Sequence, residues 1–187
     1  MVPEAPLEQT DEGLAPAGEG WFVVNARDAR WRERPGRGFS LALTGSTDYE
    51  AETFFTQLGV NIAVLDPGEA IAMYHWEKDQ EGLLILYGEA LLLVEGEERT
   101  LKQWDYFHSP PGAKHTIIGA GNGPCAVLAV GSRQFMATDE WGAYSADEIA
   151  QRHGVSPKQD TSESGGDDAR YGETTFTRYR EGWLPEE

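Results

Sequence analysis

Between residues 58 and 135 the chain interrupts its apolar runs so often, and with such strong turn signals, that a long helix has no place there. Residues 60–65 run into Asp66-Pro67-Gly68, residues 70–77 and 81–87 follow, and Gly88-Glu89 reverses the chain into residues 90–94. Gly96, Pro110-Pro111-Gly112 and Ala120-Gly121-Asn122-Gly123 then separate residues 99–101, 105–108, 115–118 and 125–130. Proline presets the backbone angle that a turn needs and glycine supplies the positive φ. Short runs spaced about 8–12 residues apart read as strands of an all-β sandwich or barrel. No window in this stretch repeats apolar residues at helical period, and no solenoid-type repeat is present.

The flanks differ. Residues 1–19 are an acidic N-terminal arm with Glu4, Glu8, Asp11, Glu12 and Glu19 and no basic residue, a mobile segment or one that drapes over a body. Residues 21–24 read as a first strand. Arg27, Arg30, Arg32, Arg34 and Arg37 then surround Trp31. These arginines suit a strand paired with acidic neighbours or, as the alternative, an anion-binding patch. Beyond residue 135, Ser145-Ala146-Asp147-Glu148 has the form of a capping box opening a helix over 146–153, with Gly154 closing it. Residues 156–168 are a polar, mobile linker, and the aromatic tail of Tyr171, Phe176, Tyr179 and Trp183 is expected to dock on its own body or a partner's. The expected division is therefore arm 1–19, barrel 20–135, and helix, linker and tail 136–187.

Composition narrows the function. With 40% hydrophobic and 11% aromatic residues the chain can bury a core, which excludes global disorder. Fifteen basic against 32 acidic residues give a net charge of −17, which repels phosphate backbones and anionic lipid, so neither nucleic acid nor a membrane is an expected partner. Cys125 is the single cysteine, which excludes an internal disulfide and paired-cysteine metal chemistry. The apolar stretch 83–94 is broken by Gly88 and Glu89 and falls short of the ~20 residues of a membrane span. No signal-peptide pattern stands at the N-terminus, and a cytoplasmic location is expected.

Histidine is scarce, at four residues, and two of the four stand in informative places. On a strand over 70–77, His75 and Glu77 share a face. Glu81 opens the next strand after a short link, and His115 opens another just after the Pro110-Pro111-Gly112 turn. Two imidazoles and two carboxylates converging inside a small barrel would make a divalent-metal site with nitrogen and oxygen donors. Such donors favour manganese, iron, nickel or zinc over calcium or magnesium. Gln80 is expected in a solvent-facing turn, His108 as a wall histidine and His153 at a helix end. Cys125 is expected as a small core residue. Met73, Leu83, Ile85, Leu92, Ile117 and Leu128 are expected to line the interior, with Asn61 reaching toward it and Tyr74 and Trp76 facing outward.

Residues 68–88, from Gly68 through His75, Glu77 and Glu81 to Gly88, resemble the first motif of the cupin superfamily. That motif reads Gly, five residues, His-x-His, three or four residues, Glu, six residues, Gly. Residues 104–119, with Pro110, Gly112 and His115, resemble the second: Gly, five residues, Pro-x-Gly, two residues, His, three residues, Asn. The spacings from Glu81 to Gly88 and from Pro110 to His115 fit without adjustment. Glu77 replaces the second histidine, the opening glycine lies one residue further upstream, Trp104 stands at a glycine position and Gly119 at the asparagine. The resemblance implies a jelly-roll barrel (a double-stranded β-helix), a homodimer, and a metal held by His75, Glu77, Glu81 and His115.

Glu77 leaves three arrangements open. As a ligand it gives a harder set of two histidines and two glutamates, suited to manganese or iron(II), with zinc also compatible. Otherwise His75, Glu81 and His115 form a three-ligand set with open positions. The third arrangement is a metal-free site in which a glutamate bonds His115. The resemblance implies either a metal-dependent dioxygenase, isomerase or lyase acting on a small organic molecule, or a non-catalytic module that binds or senses a small ligand. No residue is assigned a catalytic role from sequence.

Overall fold

The computed structural model describes residues 1–18, 20–44, 57–135, 140–163 and 171–185. Its strands are β1 (Leu7–Thr10), β2 (Gly13–Pro16), β3 (Trp31–Glu33), β4 (Phe39–Thr44), β5 (Leu58–Leu65), β6 (His75–Glu77), β7 (Glu81–Tyr87), β8 (Glu89–Val94), β9 (Glu97–Lys102), β10 (Tyr106–Ser109), β11 (His115–Ala120), β12 (Cys125–Ser132), β13 (Gly142–Tyr144) and β14 (Thr175–Thr177). Among the described residues one short helix, α1 (Glu148–Arg152), lies between β13 and β14. Two sheets face each other, in the orders β10-β7-β12-β5-β4-β3-β14 and β13-β6-β11-β8-β9, and all their pairings are antiparallel. This is the expected all-β jelly-roll barrel. Both sheets take an edge strand from beyond residue 135.

Three apolar layers hold the sheets. Leu83, Ile85, Leu92, Ile117 and Val127 fill the interior between them. Trp31, Leu41, Ile62, Val64 and Trp183 pack on the outer face of the seven-stranded sheet. Tyr74, Leu93, Ile118, Ala150 and Val155 pack on the outer face of the five-stranded one. Leu128 belongs with the second layer and not with the interior: it alternates with the interior residues Val127 and Ala129, and because both faces of β12 are apolar its residue types do not tell which set points inward. Met73 is buried outside the interior cluster, and its sulfur accepts the Tyr171 hydroxyl at 3.5 Å. Tyr74 does face away from the interior, but under cover of Ala150 and Val155.

The flanks differ from expectation in detail. The acidic arm folds as the β1–β2 hairpin, which bridges to the body at Leu14 and Ala29. Residues 21–24 make only an isolated bridge, from Trp21 to Glu4. The expected strand 70–77 is regular only from His75, since residues 70–74 bend to follow β11. The cap of α1 is Asp147, whose carboxylate accepts from the Ile149 and Ala150 amides, while Ser145 is buried and donates its amide to Tyr74. The described part of the linker is anchored, since Thr161 bridges Tyr144 and Asp160 accepts from the Ala146 amide; residues 164–168 lie outside the described residues.

The arginines around Trp31 meet the aromatic tail of the same chain. β14 pairs with β3, and Arg30 lies 4.1 Å over Phe176, Arg37 4.7 Å over Tyr171 and Arg27 5.7 Å over Tyr179. Trp183 seats between Phe39 and Trp31, with ring centroids at 4.2 and 5.0 Å. Cation–π contacts of this kind are worth about 0.5–2 kcal/mol each, depending on desolvation. Arg27, Arg30 and Arg37 thus lie against the aromatic tail. Among the described residues no helix is long and apolar enough to cross a membrane.

Candidate metal centre

His75 and His115 are the first residues of β6 and β11 and stand directly opposite each other in the five-stranded sheet. Alternation sends both rings inward, since Ile117, two residues after His115, is an interior residue. Their centroids are 5.0 Å apart. Glu81 opens β7 in the facing sheet, on the same parity as the interior residues Leu83 and Ile85. One donor atom from each of His75, Glu81 and His115 lies within 4.8 Å of the other two. The group therefore joins the two sheets at one end of the barrel.

The backbone sets the tautomers. His75 Nδ1 lies 2.7 Å from the Met73 carbonyl, and His115 Nδ1 lies 3.0 Å from the Ala113 carbonyl. A carbonyl only accepts, so each Nδ1 carries the proton and each Nε2 turns a lone pair inward. Ser109, buried at the end of β10, places its hydroxyl 3.3 Å from the same His115 Nδ1. This is the outer support that metal-binding imidazoles use to fix ring orientation.

His115 Nε2 lies 3.0 Å from Glu81 Oε2. An unprotonated nitrogen facing a carboxylate at that distance is repulsive unless a positive charge lies between them. A proton satisfies the pair, and so does a divalent ion, because donors held about 2.1 Å from one ion at right angles are about 3 Å apart. The donor set therefore fits a metal ion, and His75, Glu81 and His115 could hold one. Glu77, on the same face of β6 as His75, has its Oε1 3.5 Å from His75 Nε2 and lies outside the compact three-residue group.

The electrostatics favour charge at the centre. Burial pushes the His75 pKa down, but the hydrogen bond to Glu77 and the charges of Glu77 and Glu81 outweigh it, and the net shift is upward. Burial pushes Glu81 up, but the bond to His115 and the charges of His115, His75 and Arg133 prevail, and the net shift is downward. Aromatic rings wall the group: Trp141 and Tyr144 lie 6.4 and 6.1 Å from the His75 ring, and Phe107 lies 5.3 Å from His115. A cleft of about 470 Å³ opens beside Phe107, Leu92, Val94 and Leu101.

The other histidines stand apart from this group. His108 is exposed, because its neighbours Phe107 and Ser109 take the inward positions of β10, so it is not the wall residue expected. His153 pairs with Glu98 at 3.0 Å on the surface. Gln80 is exposed, and Cys125 is a buried core thiol that burial pushes up to about 11.

Sequence reasoning missed Ser109, Trp141, Tyr144 and Asp79. Asp79 is buried and accepts from Ser132 Oγ at 2.7 Å, the Phe135 amide at 2.9 Å and the Gln134 amide at 3.1 Å. Its only local signal is an acid in the turn just before Glu81. Trp141 and Tyr144 reach the site through pairing of β13 with β6 across more than sixty residues, which no local pattern shows.

Residues 61–131 match the family model described as Cupin domain. No curated protein matches the chain. Among solved structures, a cupin protein from Bacteroides fragilis is 21% identical over 62% of this chain and 86% of that one, with a TM-score of 0.45. A cupin 2 domain-containing protein from Halorhodospira halophila is 16% identical over 51% and 63%, with a TM-score of 0.44. A provisionally assigned sugar phosphate isomerase from Acidithiobacillus ferrooxidans is 24% identical over 41% and 51%, with a TM-score of 0.40. The match spans about half the length of that last protein and 63% of the Halorhodospira one. Both motifs fall within the matched residues, and the β-strands that carry them build the facing sheets: residues 61–131 form a cupin domain.

Proposed function

We propose that this chain is a divalent-metal-dependent enzyme that isomerises, cleaves or oxygenates a small organic molecule at the mouth of its barrel. One observation carries the reading: two imidazoles have their Nδ1 protons tied to backbone carbonyls, His115 turns its Nε2 to Glu81 of the opposite sheet at 3.0 Å, and His75 brings a donor atom within 4.8 Å of both. His75, Glu81 and His115 would hold the ion, with manganese, iron, nickel and zinc all compatible with the donors. A bound ion of this kind supplies Lewis-acid polarisation of a substrate oxygen or, if redox-active, a place for dioxygen.

The chain's own residues supply the rest. Met73 and Ala113, through their carbonyls, keep the rings from rotating and the nitrogens unprotonated on the inner side. Phe107 excludes water from one side of the His115 ring, and the cleft beside it, walled by Leu92, Val94 and Leu101 on one part and by Glu97, Arg99 and Asp105 on another, would take a substrate with both apolar and polar parts. Glu77, near the centre but outside the compact group, is placed to take a proton from substrate and return it.

The test is reconstitution of the chelator-stripped chain with manganese, iron, nickel or zinc in turn. Each sample is assayed for oxygen uptake and, by NMR, for conversion of a panel of small hydroxy and keto acids. Metal-dependent turnover that is lost in Glu77→Gln with metal content unchanged supports the reading. A metal-loaded chain that consumes no oxygen and converts nothing in the panel favours the non-catalytic binding module.

A further inference from the structure

We propose that Arg133 and Asn61 form an anion subsite beside the His75–Glu81–His115 group, built to hold the carboxylate of a small substrate. The inference rests on the reading of that group as the reaction centre. Arg133 follows directly on β12 and continues the parity of the interior residues Cys125, Val127 and Ala129. Its guanidinium lies across Gly59: a Cβ there would fall 2.1 Å from Arg133 Nε and 2.4 Å from an Nη atom. Gly59 pairs with Gly131, and Gly131 pairs with Glu81, in adjacent strands. A Cβ on Gly131 would fall 3.2 Å from Glu81 Cγ. Two missing side chains thus make the floor on which the guanidinium and the Glu81 carboxylate lie.

The guanidinium is incomplete as it stands. Arg133 Nε is buried without a hydrogen-bond partner, and among the described residues Arg133 forms no ion pair, in a chain with 32 acidic residues. Buried donors are ordinarily satisfied, and one left without a partner close to a reaction centre is a place where a ligand atom could complete the set once the side chain shifts. An arginine fork matches a carboxylate in two parallel bonds. Asn61 lies two residues along β5 on the same face as Gly59, and its in-register neighbours Ala129 and Ala42 carry only methyl groups. Its amide therefore has room to reach the same anion. Asp79 grips Ser132, Gln134 and Phe135, the residues on both sides of Arg133, and so fixes the cation in place.

The test is calorimetric titration of the full chain, metal-loaded and chelator-stripped in parallel. The probes are acetate, pyruvate and malonate, with methyl pyruvate as the uncharged control. Arg133→Gln should weaken the carboxylates by about 10- to 100-fold, the loss of one charge-assisted contact, and leave methyl pyruvate unchanged. Gly59→Ala should weaken them similarly with Arg133 retained, because the new methyl takes the guanidinium's place.

Unchanged carboxylate affinity in Arg133→Gln overturns the proposal. So does an equal loss for methyl pyruvate, or no binding of any of the three carboxylates to the wild-type chain. Metal content measured on the same samples separates the two readings. Arg133-dependent binding without metal leaves the subsite standing and removes the metal centre. Metal with Arg133-independent binding removes the subsite alone.

Discussion

Replacing Asp79 by alanine should cost the protein far more than the position of that residue in a turn suggests. The residue is 5% exposed, and its carboxylate accepts one hydroxyl and two backbone amides, from Ser132, Gln134 and Phe135. A buried donor that loses its partner costs about 1–3 kcal/mol, and bonds to a charged acceptor stand at the upper end. Gln134 is exposed, so water replaces part of what is lost there, whereas Phe135 and Ser132 are half-buried and recover less. The sum is about 2–4 kcal/mol, which for a chain of this size lowers Tm by roughly 5–12 °C. Asp79→Asn keeps one acceptor oxygen and should lose about half as much. The assay is urea and thermal unfolding of the metal-loaded chain, followed by circular dichroism. A loss under about 0.5 kcal/mol for Asp79→Ala, the level of an ordinary surface substitution, would refute the claim that this carboxylate clamps the end of β12.

Three further outcomes follow from the same contacts. Trp183→Ala should cost about 3 kcal/mol and speed trypsin cleavage after the already exposed Arg178 and Arg180, since Trp183 is the ring that seats the tail on Phe39 and Trp31 and holds its backbone; unchanged digestion would contradict the docking. Trp104 takes φ 74° with its side chain 67% exposed. Trp104→Gly should therefore be neutral or stabilising by up to about 1 kcal/mol, and a loss above about 1 kcal/mol in urea unfolding would contradict the strain. In the chelator-stripped chain, His75 is raised, so its stabilising contribution is complete below 6.5 and is lost as pH rises through the folded value. Glu81 is lowered, so its contribution is complete above 4.5 and is lost as pH falls through its folded value. Tm of the stripped chain should therefore be highest between about 4.5 and 6.5, and His75→Gln should flatten the alkaline side; an identical profile in that variant would contradict the assignment.

The sequence made the central strands and the group readable for one physical reason: turns and alternation are local. Glycine and proline marked where β7, β8 and β11 begin, and parity then placed Glu81 and His115 on inner faces. The apolar pattern failed where both faces are covered, as at Leu128, whose strand separates two hydrophobic layers. It failed also where a competing acceptor was nearer, as at α1, where Asp147 caps the helix that the Ser145 pattern suggested. Everything supplied by distant chain was invisible. The Arg30 and Arg37 contacts depend on a tail that returns after some 140 residues, and the Trp141 and Tyr144 wall depends on β13 pairing with β6. Arg133 gave no motif at all, since its setting is made by two glycines on neighbouring strands.

The most direct measurement is elemental analysis of the untagged chain, purified without chelator and again after reconstitution, beside His75→Ala and Glu77→Ala. The account predicts about one manganese, iron, nickel or zinc ion per chain, lost in His75→Ala and retained, with weaker binding at most, in Glu77→Ala. No bound metal in the wild-type chain after reconstitution with all four ions, or full occupancy in His75→Ala, would contradict it.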